Sequence, residues 1–270
     1  MKLSYWVAVS TLMLMLLVVS NGAAASPRSQ HLGDRTLRQG DKGHDVRVLQ
    51  QYLTLTGITA KVDGVFGAST TRAVRAFERS QRRVVDGQVT PDDARALHDV
   101  ARNGSAVASA SSGGAHALAG PPADPPGQSQ LLGPGAIATV GSDGLAIAPE
   151  QAPVVVQRLI AAANEIATKP YIYGGGHGRW KDAGYDCSGS VSYALHGAGL
   201  LQTSMASGGF MTWAEAGPGQ WVSTYATPGH MYMVIAGLRF DTSGQRGSGS
   251  RWQSEERSPR GYSVRHPVGL

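Results

Sequence analysis

Cysteine is nearly absent from this chain of 270 residues: Cys187 stands alone. One thiol excludes an intramolecular disulfide framework, a thiol-ligated zinc finger and a CxxC redox pair. Aromatic residues make up 7%, and no dense Lys/Arg run is interleaved with them, so nucleic acid is not expected as a partner despite a net charge of +5. The 8 histidines are scattered, with no HExxH and no short-spaced ligand pair. Gly174-Gly175-Gly176 lacks the Gly-Lys-Ser/Thr that a phosphate loop requires. No metal and no cofactor is expected.

Long apolar runs are also scarce. Trp6 to Val19 is one, preceded by Lys2 and followed by Asn21-Gly22 and Ala23-Ala24-Ala25. A spanning helix needs about 20 apolar residues. This pattern instead predicts an export signal over residues 1–25, cleaved before Ser26. The mature chain is then expected outside the cytoplasmic membrane with no stable insertion into it. Lys and Arg are missing altogether from residues 103–150, which are rich in Ala, Gly, Ser and Pro. Gly120-Pro121-Pro122-Ala123-Asp124-Pro125-Pro126-Gly127 cannot hold a helix, so this stretch reads as a flexible linker. Leu145-Ala146-Ile147, at its end, is apolar enough to dock on a neighbour.

What remains is 41% hydrophobic composition overall, enough for real cores. Residues 31–102 predict three short helices. Val46, Leu49, Leu53 and Leu55 follow Asp45, a candidate N-cap, and Gly57 closes the first. Ser69-Thr70-Thr71 and Thr90-Pro91-Asp92 open the other two. Between the first two, Val62-Asp63-Gly64-Val65-Phe66-Gly67 is expected to bring backbone amides to the surface. This unit resembles the peptidoglycan-binding three-helix domain through Leu37 to Gly43, Val46 to Leu53 with Gln50, Asp63 to Gly67, Thr70, Ala73-Val74, Phe77 and Asp86-Gly87. The resemblance implies that Asp63, Gly64 and Phe66 contribute to binding. Glu78, Thr90 and Asp93 depart from the family pattern.

Residues 151–270 predict an α+β domain. An amphipathic helix runs from Val154 to Ala167 and ends at Lys169-Pro170. Asp186 is then a natural N-cap for a second helix with Val191, Ala194, Leu195 and Ala198 on one face and Gly199 as its stop. Cys187 falls in its first turn, where the helix dipole favours a thiolate and free amides are available to an oxyanion. A nucleophilic thiol needs a base. His230 heads the apolar strand His230 to Ile235, and the turn at Ala236-Gly237 returns the chain to Phe240. The hairpin brings Asp241 or Thr242 beside His230. Trp221 to Tyr225 reads as a third strand, and His177 is a competing base.

These features resemble the NlpC-type cysteine endopeptidases, papain-like hydrolases of bacterial cell-wall peptides. Tyr171 with Tyr173-Gly174-Gly175, Asp186-Cys187-Ser188-Gly189 and His230 carry the likeness. It implies Cys187 as nucleophile, His230 as general base, Asp241 (with Thr242 as the weaker option) as third member, and Tyr171, Asp186 and Ser188 lining the substrate site. Gln220, Ser190 and the stretch 244–270 depart from it.

The expected protein has a three-helix wall-binding domain, a linker and a papain-like domain with a short antiparallel sheet packed on helices. It is expected to be a secreted monomer of the bacterial cell wall, acting on peptidoglycan stem peptides and glycan. Both basic halves suit a polyanionic wall: residues 26–102 carry 13 Lys/Arg against 9 Asp/Glu, and residues 151–270 carry 10 against 7. A non-catalytic scaffold and an acyltransferase on the same fold are the alternatives.

Overall fold

The computed structural model describes residues 31–103, 132 and 136–270. The predicted export signal and most of the predicted linker lie outside them. No helix among the described residues is long and apolar enough to cross a membrane.

Three helices form the N-terminal unit: α1 (His44–Leu55), α2 (Ala68–Ser80) and α3 (Pro91–Asn103). Leu49, Leu53, Phe66, Val74, Phe77 and Leu97 fill its core. The cap of α1 is Gly43, not Asp45. Asp45 sits in the first turn, buried, where its carboxylate accepts from Arg35 Nε at 2.9 Å. Thr90 and Asp93, which depart from the family pattern, bond reciprocally at the start of α3: Thr90 N donates to the Asp93 carboxylate and Asp93 N to the Thr90 hydroxyl. That is a capping box, which satisfies two orphan amides at once.

Residues 136–150, the end of the stretch read as linker, form an ordered hairpin. It pairs β1 (Thr139–Val140) with β2 (Ala146–Ile147), and both Leu145 and Ala146 are buried. Then follow α4 (Val154–Ile166), α5 (Cys187–Gly197) and the single turn α6 (Ser207–Phe210). A six-stranded antiparallel sheet completes the fold: β3 (Glu215–Ala216), β4 (Val222–Ala226), β5 (Met231–Ile235), β6 (Leu238–Phe240), β7 (Trp252–Gln253) and β8 (Ser263–His266). A last turn, α7 (Gln245–Ser248), lies between β6 and β7. The spatial order is β3-β8-β4-β5-β6-β7, so the long hairpin β4–β5 is central. Helix and antiparallel sheet in one domain make the α+β class expected from the pattern.

The two units pack on one another, α1 against α4. Asn164 on α4 is fully buried and uses all its capacity. Its Nδ2 donates to Gln51 Oε1 on α1 at 3.1 Å and to Ala146 O at 2.9 Å. Its Oδ1 accepts from Ala146 N at 2.9 Å and Trp252 Nε1 at 2.7 Å. Next to it, the buried Glu165 carboxylate lies 2.8 Å from His98 Nε2 of α3 and accepts from the Tyr193 hydroxyl of α5. Burial alone would push that carboxyl up, but attraction to His98 and bonds from His98, Tyr193 and Tyr52 outweigh it and hold it at about 2. A carboxyl depressed on folding stabilises the protein above its ordinary value of 4.5, and that contribution is lost as pH falls toward about 2. Thermal midpoints of the wild type are therefore expected to drop over that window. The Glu165→Gln variant should start lower at pH 7 and fall less steeply, which calorimetry against pH measures.

Candidate active site

Asp186 caps α5 as its sequence predicts. Its Oδ1 accepts from Gly189 N at 2.7 Å, so Cys187 becomes the first helical residue. The preceding loop is laid directly on that turn. A Cβ on Gly189 would stand 2.0 Å from the Gly175 carbonyl oxygen, so the residue two after the cysteine has to be glycine. The same loop closes through Asp186 N donating to Gly175 O at 3.2 Å and Gly174 N donating to Asp186 Oδ2 at 3.0 Å.

Opposite the thiol, His230 immediately precedes β5. Its backbone is fixed by Thr227, whose hydroxyl accepts from His230 N at 3.1 Å and donates to His230 O at 3.0 Å. The β5–β6 turn uses Ala236 and Gly237, both at positive φ (47° and 78°), as tight hairpins with a right-handed twist require. Phe240 thereby pairs with Met233, and Asp241 lies beside His230. His230 Nε2 is 3.2 Å from Asp241 Oδ1, and the ring stands close enough to the Cys187 thiol for each to shift the other's ionisation. Asp241, not Thr242, is the group that meets the imidazole. Thr242 instead opens a 3-10 turn capped by Asp241.

The electrostatics follow from this triad. The bond from Asp241, joined by the one to Cys187, raises His230 from 6.5 to about 9, against a smaller opposing effect of burial. Burial pushes the Cys187 thiol up, yet hydrogen bonds from His230 and the Met231 amide together with the imidazole's charge bring it below its ordinary value. Desolvation opposes ionisation of Asp241, but bonds from His230 and Ser243 keep it far below the ordinary carboxylate range. Both shifts, the thiol down and the imidazole up, favour a thiolate–imidazolium pair over the neutral one.

Tyr171, half-exposed, borders the thiol closely enough that the cysteine's charge helps raise its phenol, after the larger effect of desolvation. Ser188 and Asp186 are buried beneath, and His177 Nε2 lies 3.1 Å from Asp186 Oδ1 and 3.2 Å from Ser188 Oγ. His177 is therefore held by Asp186 and Ser188 and does not compete for the thiol. Tyr173, nine-tenths exposed, adds an open aromatic face to the same loop.

In the N-terminal unit the glycine loop differs from expectation. Gln50 is fully buried, and its Oε1 takes the Asp63 and Gly64 amides at 2.9 and 2.8 Å. Those amides face inward, not outward. Phe66 is also fully buried in the helical core, so it anchors the loop from below and has no open face for a ligand. Asp63 keeps part of its side chain in solvent, beside Lys61 at 3.3 Å, as do Val62 and Val65.

Residues 42–97 match the family model of a putative peptidoglycan binding domain. The match supports peptidoglycan binding by the three-helix unit. No match to an NlpC-type peptidase family accompanies it, and no curated protein matches the chain. Among solved structures, a peptidoglycan-binding protein from Clostridioides difficile, in complex with glutamine hydroxamate, is 32% identical over 23% of this chain, with a TM-score of 0.23. This chain covers 40% of that one. The SleB N-terminal domain is 34% identical over 26% of this chain and 97% of its own, with a TM-score of 0.25. The family match lies within the three-helix unit. The cysteine domain stands on its geometry.

Two arginines that sequence reading passed over complete that domain. Arg251, fully buried, donates from Nε to Ser190 Oγ, from Nη1 to Ile166 O and Lys169 O, and from Nη2 to Pro170 O and Tyr185 O, at 2.6 to 3.3 Å. It ties the end of α4 to the loop that delivers Cys187. Arg257 meets Asp241 itself.

Proposed function

We propose that this protein is an exported peptidoglycan endopeptidase that cleaves stem-peptide amide bonds through a thioester on Cys187. The observation that carries the reading is the ordered series Cys187, His230, Asp241, with the thiol at a helix N-terminus. The Cys187 sulfur attacks the scissile carbonyl carbon, and the amides of the first turn of α5 receive the oxyanion. As the tetrahedral intermediate collapses, His230 passes its proton to the leaving amine. The imidazole then takes a proton from water, whose oxygen attacks the thioester, releasing the acid and restoring the thiol. Asp241 keeps the ring oriented throughout. The N-terminal unit holds the protein on the polymer, and the resemblance to NlpC-type enzymes points to the bond between D-glutamate and diaminopimelate.

Purified wild type and Cys187→Ala incubated with peptidoglycan sacculi test this. Mass spectrometry of the soluble products is expected to show truncated stem peptides with a new free amine from the wild type alone. Equal release by both proteins, or by neither, overturns the proposal.

A further inference from the structure

The C-terminal stretch 244–270, which departs from the resembled family, places a cation against the Asp241 carboxylate. Arg257 Nη1 lies 3.0 Å from Asp241 Oδ2, 3.1 Å from Ser243 Oγ and 3.4 Å from His230 Nε2. Its guanidinium is held over the Tyr232 ring of β5 and the Tyr262 ring, each centroid 5.5 Å from Cζ. The Tyr232 hydroxyl also donates to the Arg257 carbonyl at 3.4 Å. Five contacts from three segments hold this one guanidinium.

The two oxygens of Asp241 divide their work accordingly. Oδ1 faces His230 Nε2 and accepts from Ser243 N at 2.9 Å. Oδ2 faces Arg257 and accepts from Ser243 Oγ at 2.7 Å. We propose that Arg257 is a positioning residue of the catalytic site: it holds the far oxygen of Asp241, so that the near one points at His230, and shares the carboxylate's charge so that the imidazolium remains able to release its proton. The assignment rests on the reading that Cys187 and His230 are the working pair.

The charged groups around the ring are few enough to predict the sign. Cys187 faces it from α5, Asp241 from the end of β6, and Arg257 from the C-terminal stretch. Arg239 of β6 reaches Asp241 Oδ2 only at 3.9 Å, while Asp186 and Tyr171 lie on the thiol side. Removing Arg257 deletes a like charge beside Nε2 and leaves Asp241 a fuller counter-ion. Both changes favour the imidazolium.

The test is an NMR titration of the His230 imidazole in the intact chain, with the pH profile of sacculus digestion beside it. In Arg257→Gln the His230 midpoint is expected to rise by about half to one pH unit, a threefold to tenfold gain in proton affinity. Turnover should fall by a similar factor. Arg257→Lys should restore most of both. A midpoint that stays or falls in Arg257→Gln, or an Arg257→Lys variant that behaves like it, overturns the assignment. Should Arg257→Gln fail to fold, Tyr262→Leu, which removes one ring of the clamp, must give a smaller shift of the same sign or the assignment fails. A shifted midpoint without digestion by either protein sinks the peptidase reading and leaves the role of Arg257 standing. Digestion with an unmoved midpoint does the reverse.

Discussion

Alanine at Cys187 is expected to lower the release of stem-peptide fragments by about three to six orders of magnitude, the range seen when the nucleophile of an acyl-transfer enzyme is removed. No other thiol exists in the chain to take over. Neither Ser188 nor His177 can substitute, because both are committed to Asp186. The wild-type rate should be bell-shaped in pH. Its acid limb lies below the ordinary thiol range, because His230 and the Met231 amide stabilise the thiolate. Its alkaline limb falls near 9, where His230 loses the proton that the leaving amine requires. The same imidazole carries a stability term of matching sign. A histidine raised from 6.5 to about 9 on folding stabilises the protein fully below 6.5, and that contribution is lost as pH rises through about 9. Initial rates of fragment release from pH 5 to 10, for wild type and variant, check both statements. An alkaline limb near 6.5 would mean that Asp241 and Cys187 do not support the ring.

Methionine at Arg251 is expected to cost about 3–5 kcal/mol of folding stability, as breaking up a buried charged network does. Burial lowers this guanidinium to about 10, so it remains charged at neutral pH with no carboxylate among its hydrogen-bond partners. Four backbone carbonyls and one hydroxyl take its place as counter-charge. One of those carbonyls, that of Ile166, is the last of α4, where the helix dipole is negative. Methionine matches the length of the side chain but donates nothing: Ile166 O, Lys169 O and Pro170 O keep Lys169 N, Gln245 Nε2 and Tyr185 N as donors, while the Tyr185 carbonyl loses the Arg251 bond. For a chain of this size the midpoint of thermal unfolding should drop by about 10 °C. Thiol alkylation should also change, because Ser190 and the Tyr185 carbonyl belong to the turn that carries Cys187. Differential scanning calorimetry decides the first point, and an unchanged midpoint would refute it.

Where the signals are local, the sequence reads correctly. Asp186, the apolar period behind it and Gly199 at positive φ define α5 without help from the rest of the chain, and they place Cys187. The hairpin with its Ala236-Gly237 turn fixes the distance between His230 and Asp241 by register alone. Failure comes where a single polar side chain acts across a long separation. Arg251 reaches Ser190 from 61 residues away, and Asn164 joins Gln51 across 113. Nothing in their neighbours marks them, since each looks like an ordinary polar residue in an amphipathic or glycine-rich stretch. Phe66 misleads for a related reason. A glycine-flanked loop reads as surface, yet Gln50 pulls its amides inward and the ring fills the space beneath.

The seating of α1 on α4 alters what a linker means in this molecule. A loose tether would let the cysteine domain sweep a volume around its anchoring point and sample many chains of the polymer. Here Gln51, His98, Asn164 and Glu165 lock both units into one body. If the proposed cleavage holds, the span from the foothold on the wall to the bond presented to Cys187 is then a constant of the protein, and its cuts should recur at a set offset, as marks made with a caliper do.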